Sequence, residues 1–137
     1  MASYITEYER FMDSQGIKYS HQNATSVSIS YETSNIKSCR VQVNFDADGD
    51  NKVAFHSWSI GNVKDDEKFS KALVLCNELN KQYRWVKFYI DDDRDIAVSA
   101  DAIVDLSSVG SECAEMVSRM VNISDAAYPQ FMKLLWF

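Results

Sequence analysis

The chain has 137 residues, of which 46% are hydrophobic and 25% are charged, and its formal net charge is −6. A chain of this length can bury a sizeable core, so we expect residues 1–137 to form a single domain. Nucleic acids and anionic membrane surfaces require Lys and Arg gathered on one face, so the acidic balance argues against both as partners.

The N-terminal segment MASYITEYERF has acidic residues among its first ten positions and no apolar run. This pattern argues against a secretion signal and against a basic transit peptide. No segment approaches the roughly 18 apolar residues that span a bilayer. We therefore expect a cytoplasmic protein, in which Cys39, Cys76 and Cys113 are small buried apolar side chains.

The first half of the chain predicts one helix followed by three strands. Apolar positions at helical spacing predict a helix over residues 3–15, with Ser3 as its N-cap and Gly16 just past its end. Apolar and polar residues then alternate with period two, which is typical of strands with one buried face. The predicted strands cover residues 26–31, 40–45 and 52–60.

The second half predicts a helix, a hairpin and a last helical segment. The second helix covers residues 65–83, with Asp65 or Asp66 as its cap. The hairpin strands cover 84–90 and 96–104, and Pro129 predicts a bend or break in the last helix between residues 122 and 128. The order α-β-β-β-α-β-β-α indicates an α+β fold, with one five-stranded antiparallel sheet packed on one side by helices.

Three segments in this order carry a family resemblance, namely YERFMDSQGIKYS, NELNKQYRWVKFYIDDDRD and YPQFMKLLW. They resemble the YbjN-like family over nearly the whole chain, and some members of that family are described as sensory transduction regulators. The resemblance implies the fold of type III secretion chaperones, a protein-binding role as a homodimer, and no catalytic residues. Two departures are Lys64, where the family tends to have Pro, and Arg94, where its acidic hairpin often has Gly. Asp93 tolerates a left-handed turn better than Arg94 does.

Two acidic turns are candidates for binding a cation or a small ligand. The first matches the opening of a calcium-binding loop but lacks the Gly and the final Glu of that loop, and strands flank it instead of helices. Solvated turns explain both groups, and a small-ligand or metal sensor remains the alternative function. The two groups are Asp46, Asp48 and Asp50, and Asp91, Asp92, Asp93 and Asp95.

No residue pattern indicates catalysis or a cofactor. The chain has no G-x-S-x-G motif, and its four glycines form no phosphate-binding loop. His21, expected in a loop, and His56 lie far from the cysteines and from each other, without the spacing of zinc ligands. We therefore expect a non-enzymatic protein with no metal and no cofactor.

The most informative surface candidate is the predicted strand 84–90. Its alternate apolar residues belong in the core, whereas Trp85, Lys87 and Tyr89 point to the opposite face. A helix or a chain terminus could cover the two aromatic residues. Alternatively, Trp58, Trp85 and Tyr89 form an exposed patch that binds a client protein, because aromatic side chains dominate interface energetics. The sequence therefore favours a protein-interaction or chaperone-like regulatory module.

Overall fold

The computed structural model describes residues 3–137, which contain three helices and six strands. The strands form one antiparallel sheet in the order β1-β2-β3-β4-β6-β5. The α+β class with an antiparallel sheet is confirmed, whereas the prediction of five strands is wrong. The elements are α1 (Tyr4–Gln15), β1 (Ser20–Asn23), β2 (Ser26–Tyr31), β3 (Cys39–Phe45), β4 (Lys52–Ser57), α2 (Asp66–Gln82), β5 (Lys87–Ile90), β6 (Ile96–Ile103) and α3 (Val109–Trp136).

The strand that the sequence did not predict is β1, a four-residue edge strand exposed along its whole length. Its sequence SHQN has no apolar alternation, so it carries no strand signal of period two. His21, predicted in a loop, lies in this strand opposite Val27, and its Nε2 contacts the Glu9 carboxylate of α1. This contact connects the edge strand to the helical layer.

All three helices pack on one face of the sheet. Helix α3 contacts β3 and β6 at the middle of the sheet, and α1 and α2 both pack against α3. The inward-facing side chains of the strands and the apolar stripes of the helices form one core. The largest fully buried side chains include Tyr8, Phe55, Phe88 and Phe131. No helix of residues 3–137 lies over the opposite face of the sheet.

The helix starts follow the predicted capping residues. Ser3 Oγ accepts a hydrogen bond from the Thr6 backbone N–H at 3.2 Å, and Gly16 ends α1 with a φ of 71°. Asp65 Oδ1 accepts from the Glu67 backbone N–H at 2.9 Å and so caps α2. These side chains satisfy backbone groups that a helix end leaves without partners.

Of the bend or break predicted before Pro129, the break does not occur, since α3 is continuous through this residue. Proline has no N–H, so the carbonyl of Asp125, four residues earlier, loses its donor within the helix. Asn35 of the β2–β3 loop supplies a replacement, since its Nδ2 donates to Asp125 O at 3.2 Å. The backbone N–H of Asn35 also donates to the Asp125 carboxylate at 2.8 Å. This loop therefore holds α3 at the point where its own hydrogen bonding is incomplete.

Strand β5 is the second edge of the sheet, and α2 covers part of it. The Phe88 N–H donates to Asn80 Oδ1 at 2.7 Å, and Asn80 Nδ2 donates to Phe88 O at 3.0 Å. One side-chain amide thus occupies both backbone groups of Phe88 that a further strand would pair with. An edge occupied in this way is less available for pairing with another chain.

Candidate functional site

The sheet face without helices is the candidate site, and we call it the open face. Strand register places its side chains in rows that cross the sheet. One row contains Lys87, Ser99, His56, Gln42, Ser28 and Ser20. The next row contains Tyr89, Ala97, Arg40 and Ser30. Trp58 follows β4 directly and, together with Arg40 and Gln42, lines a pocket on this face.

The part of the open face over β1, β2 and β3 is polar and internally hydrogen-bonded. Ser28 is buried at its centre, and its Oγ accepts from Gln22 Nε2 at 3.1 Å and from Arg40 Nη2 at 3.2 Å. Ser26 Oγ donates to Asn44 Oδ1 at 2.6 Å. These bonds satisfy the hydroxyl and amide groups within the sheet surface, so this half forms an ordered polar border.

The part over β4, β6 and β5 is aromatic. The Trp58 ring is 43% exposed and stacks on His56, with centroids 5.4 Å apart and planes 9° apart. Tyr89 lies opposite Ala97 on the neighbouring strand, and Lys87 Nζ is 5.4 Å from the Tyr89 ring centroid. Ala97 is fully buried although no helix covers it. The side chains around Ala97 therefore leave none of its surface open to a partner.

Trp85 lies outside strand β5, at the edge of the sheet, where it lines a cavity with Lys87 and Ser99. Strand β5 begins at Lys87 instead of residue 84, and Trp85 has a φ of 81°. A positive φ is uncommon for a bulky residue, and it breaks the alternation of faces that a strand would impose. The Trp85 ring instead lies 4.8 Å from the guanidinium carbon of Arg119 on α3 and is 55% exposed at the sheet edge.

A pocket of about 280 Å³ lies where the polar and aromatic halves of the open face meet. Arg40 has no carboxylate oxygen within 4.0 Å among residues 3–137, so its charge is not neutralised by an ion pair there. His56 Nδ1 is buried with no hydrogen-bond partner in the described part of the chain. The lining residues are Gln22, Arg40, Gln42, His56, Trp58 and Ser59.

The acidic β5–β6 turn brings three carboxylates close together, and one of them accepts hydrogen bonds from the backbone of the turn. Ligand atoms of Asp91, Asp93 and Asp95 lie within 4.8 Å of one another. Asp91 Oδ1 already accepts the backbone N–H groups of Asp93 at 3.0 Å and Asp95 at 2.9 Å. The left-handed residue is Arg94, with a φ of 68°, and not Asp93 as the sequence suggested.

Contacts with α2 hold Arg94 in this conformation. Its Nη2 lies 2.8 Å from Asp66 Oδ1, and its guanidinium carbon lies 4.3 Å from the Phe69 ring centroid.

In the β3–β4 turn, hydrogen bonds from the Asn51 backbone and the Lys52 side chain lower the pKa of Asp50. Lys52 Nζ lies 3.1 Å from Asp50 Oδ2. Both acidic turns therefore have structural partners for some of their carboxylate oxygens.

The three cysteines are buried and unpaired by disulfides, as the sequence predicted. Burial raises the pKa of Cys76 to about 11 and, together with the nearby Glu112 carboxylate, that of Cys113 to about 12. Burial is also the largest cause of the raised pKa of Cys39. Since the thiolate is the reactive form, these thiols are unreactive in the folded chain.

Comparison with known proteins identifies the family. The YbjN family model, with the description "Putative bacterial sensory transduction regulator", matches residues 7–132. The chain belongs to the YbjN family. Comparison with curated proteins gives no match. None of the helices within residues 3–137 of this YbjN-family protein has both the length and the apolar character required to cross a membrane.

Solved structures share the fold of this YbjN-family protein at low sequence identity. YbjN from E. coli has a TM-score of 0.63 and 11% identity over 89% of each chain. A chain of the heterodimeric ExoU–SpcU complex from the type III secretion system of Pseudomonas aeruginosa has a TM-score of 0.55 and 13% identity, over 92% of this chain and 95% of that one. A chain of the HopA1–SchA chaperone–effector complex has a TM-score of 0.54 and 9% identity, over 87% and 91%. The fold is therefore that of type III secretion chaperones.

Proposed function

We propose that this protein is a non-enzymatic, chaperone-like regulatory module that holds an extended segment of a partner protein on its open face. The observation that carries the proposal is the exposed side chain of Trp58, stacked on His56 of the sheet face that no helix of residues 3–137 covers. Similarity of the fold to chains in chaperone–effector complexes supports a protein as the partner.

The two aromatic side chains have the physical properties of a binding anchor. Trp58 is 43% exposed and stacks on His56, and Tyr89 is partly exposed. Tryptophan and tyrosine are enriched among the residues that contribute most binding energy. The polar border then positions the rest of the segment.

Trp85 has a different role in this proposal. Its ring stacks on Arg119, whose Nη2 lies 2.7 Å from Glu115 Oε1 on the same helix. The stack connects the start of β5 to α3 at the sheet edge. The proposal therefore treats Trp85 as a structural contact and uses its replacement as the matched control for loss of an exposed tryptophan.

Affinity capture from native lysate tests the proposal. Replacement of both Trp58 and Tyr89 by Ser removes the two rings and should abolish capture of a partner that the wild-type protein retains. The Trp85→Ser variant should retain that partner. Loss of the partner in Trp85→Ser with retention in the double variant would contradict the proposal, provided that both variants show the wild-type circular dichroism spectrum.

The proposal also includes a homodimer in the cytoplasm, which the family resemblance implies. Light scattering of the purified protein separates the two assembly states, since one chain has a mass of 15.7 kDa. A mass of twice that value supports the dimer, and a mass of one chain contradicts it.

Convergence of the carboxylates in the two acidic turns favours a second candidate, a cation sensor. A cation that binds only the folded state raises the melting temperature with concentration. Melting curves in millimolar calcium and in chelator decide this candidate. A concentration-dependent rise supports it, and coincident curves contradict it.

A further inference from the structure

We propose that the pocket around Arg40 on the open face binds a carboxylate group carried on a short aliphatic stem. The pocket has a volume of about 280 Å³ and is lined by Gln22, Arg40, Gln42, His56, Trp58 and Ser59. A short-chain organic acid and an acidic side chain share this chemistry. The site requires no protein partner and so adds a binding activity to the proposed function.

The charge of this pocket distinguishes it from other cavities of the described chain. Its one formally charged lining residue is Arg40, although the protein has a formal net charge of −6. Three other cavities within residues 3–137 also have a Lys or Arg in their lining, but each has a carboxylate as well, from Asp65, Glu7 or Asp101. An anion is therefore attracted to the Arg40 pocket with no carboxylate in the lining to repel it.

The guanidinium of Arg40 has N–H groups left for a ligand. Among residues 3–137 it donates one hydrogen bond, from Nη2 to Ser28 Oγ at 3.2 Å, and it has no carboxylate oxygen within 4.0 Å. Its planar fork of donors matches the two oxygens of a carboxylate. The Nε2 groups of Gln22 and Gln42 each donate one hydrogen bond within the sheet surface, at 3.1 and 3.0 Å, and each retains a second N–H.

Trp58 gives the pocket an apolar wall whose position is fixed. Its ring stacks on His56, with centroids 5.4 Å apart. The next residue, Ser59, accepts the backbone N–H of Arg40 on its Oγ at 2.9 Å, so the segment that carries the tryptophan is held against β3. The wall and the cation therefore belong to one site before a ligand binds, and the methylene groups of an acid can pack on the indole while its oxygens reach Arg40.

His56 gives an independent indication of a ligand. Its Nδ1 is buried and has no hydrogen-bond partner in the described part of the chain. Buried polar atoms of folded proteins almost always have a partner, and a buried atom without one reduces stability. A polar group of a bound ligand is a source of this partner, because the His56 ring lines the pocket.

The exposure of Arg40 sets the expected affinity. An exposed ion pair raises affinity by about fivefold at most, since solvent screens the charges. A ligand of about six non-hydrogen atoms that binds such a site should have a dissociation constant on the order of 1 mM. We therefore expect millimolar binding of a small acid and a preference of about fivefold over the neutral amide of the same shape.

Titrations with butyrate, butyramide and butylammonium, followed by NMR of the ¹⁵N-labelled protein, test the inference. These probes have four carbons each and differ in the charge of the head group. The three tryptophans lie at three different cavities, so the indole N–H signals of Trp58, Trp85 and Trp136 report where a probe binds. Butyrate should shift the Trp58 signal, about fivefold tighter than butyramide, and butylammonium should bind weakest. The signals of Trp85 and Trp136 should stay in place.

Replacement of Arg40 by Gln provides the decisive comparison. Arg40→Gln should bind butyrate no tighter than butyramide, and wild-type dispersion of its amide signals shows that it is folded. Arg10→Gln is the matched control, since it removes the same charge from α1, on the helical side, and should leave butyrate affinity unchanged. Equal wild-type affinity for butyrate and butyramide, or unchanged butyrate affinity in Arg40→Gln, would overturn the inference. A butyrate shift at Trp136 without one at Trp58 would also overturn it.

A glutamate blocked at both ends, N-acetylglutamate N-methylamide, separates the two sources of the carboxylate. Tighter binding of this probe than of butyrate supports an acidic side chain of a partner as the ligand, whereas weaker binding supports a free organic acid. Absence of a Trp58 shift with both probes overturns the carboxylate site. The proposed function would still stand if partner capture were lost on replacement of Trp58 and Tyr89.

Discussion

The Asn80 side chain provides a direct test of how the sheet edge is stabilised. Replacement by Ala removes both hydrogen bonds to the buried Phe88 backbone, at 2.7 and 3.0 Å. Two such bonds contribute about 2 kcal/mol to the free energy of unfolding. Alanine returns about 0.6 kcal/mol through its higher helix propensity, so the net loss is about 1.5 kcal/mol. For a chain of 137 residues, this corresponds to a melting temperature lower by about 5 °C.

Asn77→Ala is the matched control for this prediction. Asn77 is exposed on the same helix and makes no side-chain hydrogen bond within the described chain. Its replacement by Ala therefore gives the same gain in helix propensity without removing any hydrogen bond. Urea unfolding followed by circular dichroism should place Asn80→Ala below the wild type and Asn77→Ala at or above it. Equal stability of the two variants would refute the role assigned to Asn80.

Three other regions give quantitative expectations. Gly110→Ala should lower the free energy of unfolding by about 1–3 kcal/mol despite the helix propensity of alanine, because an added Cβ would overlap Phe11; a stabilised variant in urea unfolding would contradict this. The three buried cysteines should not react with Ellman's reagent at pH 8 until the protein is unfolded; labelling of the folded chain would show that they are accessible. Hydrogen bonds, first from the Thr33 side chain and then from Asn35, lower the pKa of Asp125. The stabilisation from this ionised carboxylate is present above its ordinary pKa of 3.8 and disappears as the pH falls through the lowered value. Asp125→Asn should therefore flatten the acid limb of stability against pH, and an unchanged acid limb would count against this assignment.

The predictable part of the fold is the part that buries an apolar face. Alternation in 26–31 and 40–45, and helical spacing in 3–15 and 65–83, follow from burial on one side of each element. Strand β1 has no buried face of its own and is held by pairing with β2, so its sequence carries no such signal. Its presence depends on tertiary contacts that local patterns do not encode.

The backbone at Trp85, Arg94 and Pro129 departs from local preference for a common physical reason. In each case, a contact remote in sequence overrides a local backbone preference. Arg119 on α3 stacks on the ring of Trp85, Asp66 and Phe69 hold Arg94 at positive φ, and Asn35 supplies the donor that Pro129 removes.

The candidate site was only partly accessible from sequence. Alternation correctly separates the Tyr89 face from the Phe88 face, and it identifies large aromatics on a face where polar residues are usual. It does not show that Arg40 lies in the same row, because strand order brings β3 beside β4 and β6 beside β5. The pocket residues come from three different strands and the segment after β4, so only the register brings them together.

Site-specific photocrosslinking tests most directly whether a partner binds the open face. A photoreactive phenylalanine analogue replaces Tyr89 in one variant and Trp85 in another, so each aromatic ring is exchanged for a ring of similar size. The account predicts partner adducts from position 89 and none from position 85. Adducts from position 85 alone, or from neither position while the protein still captures its partner, would show that the partner binds elsewhere.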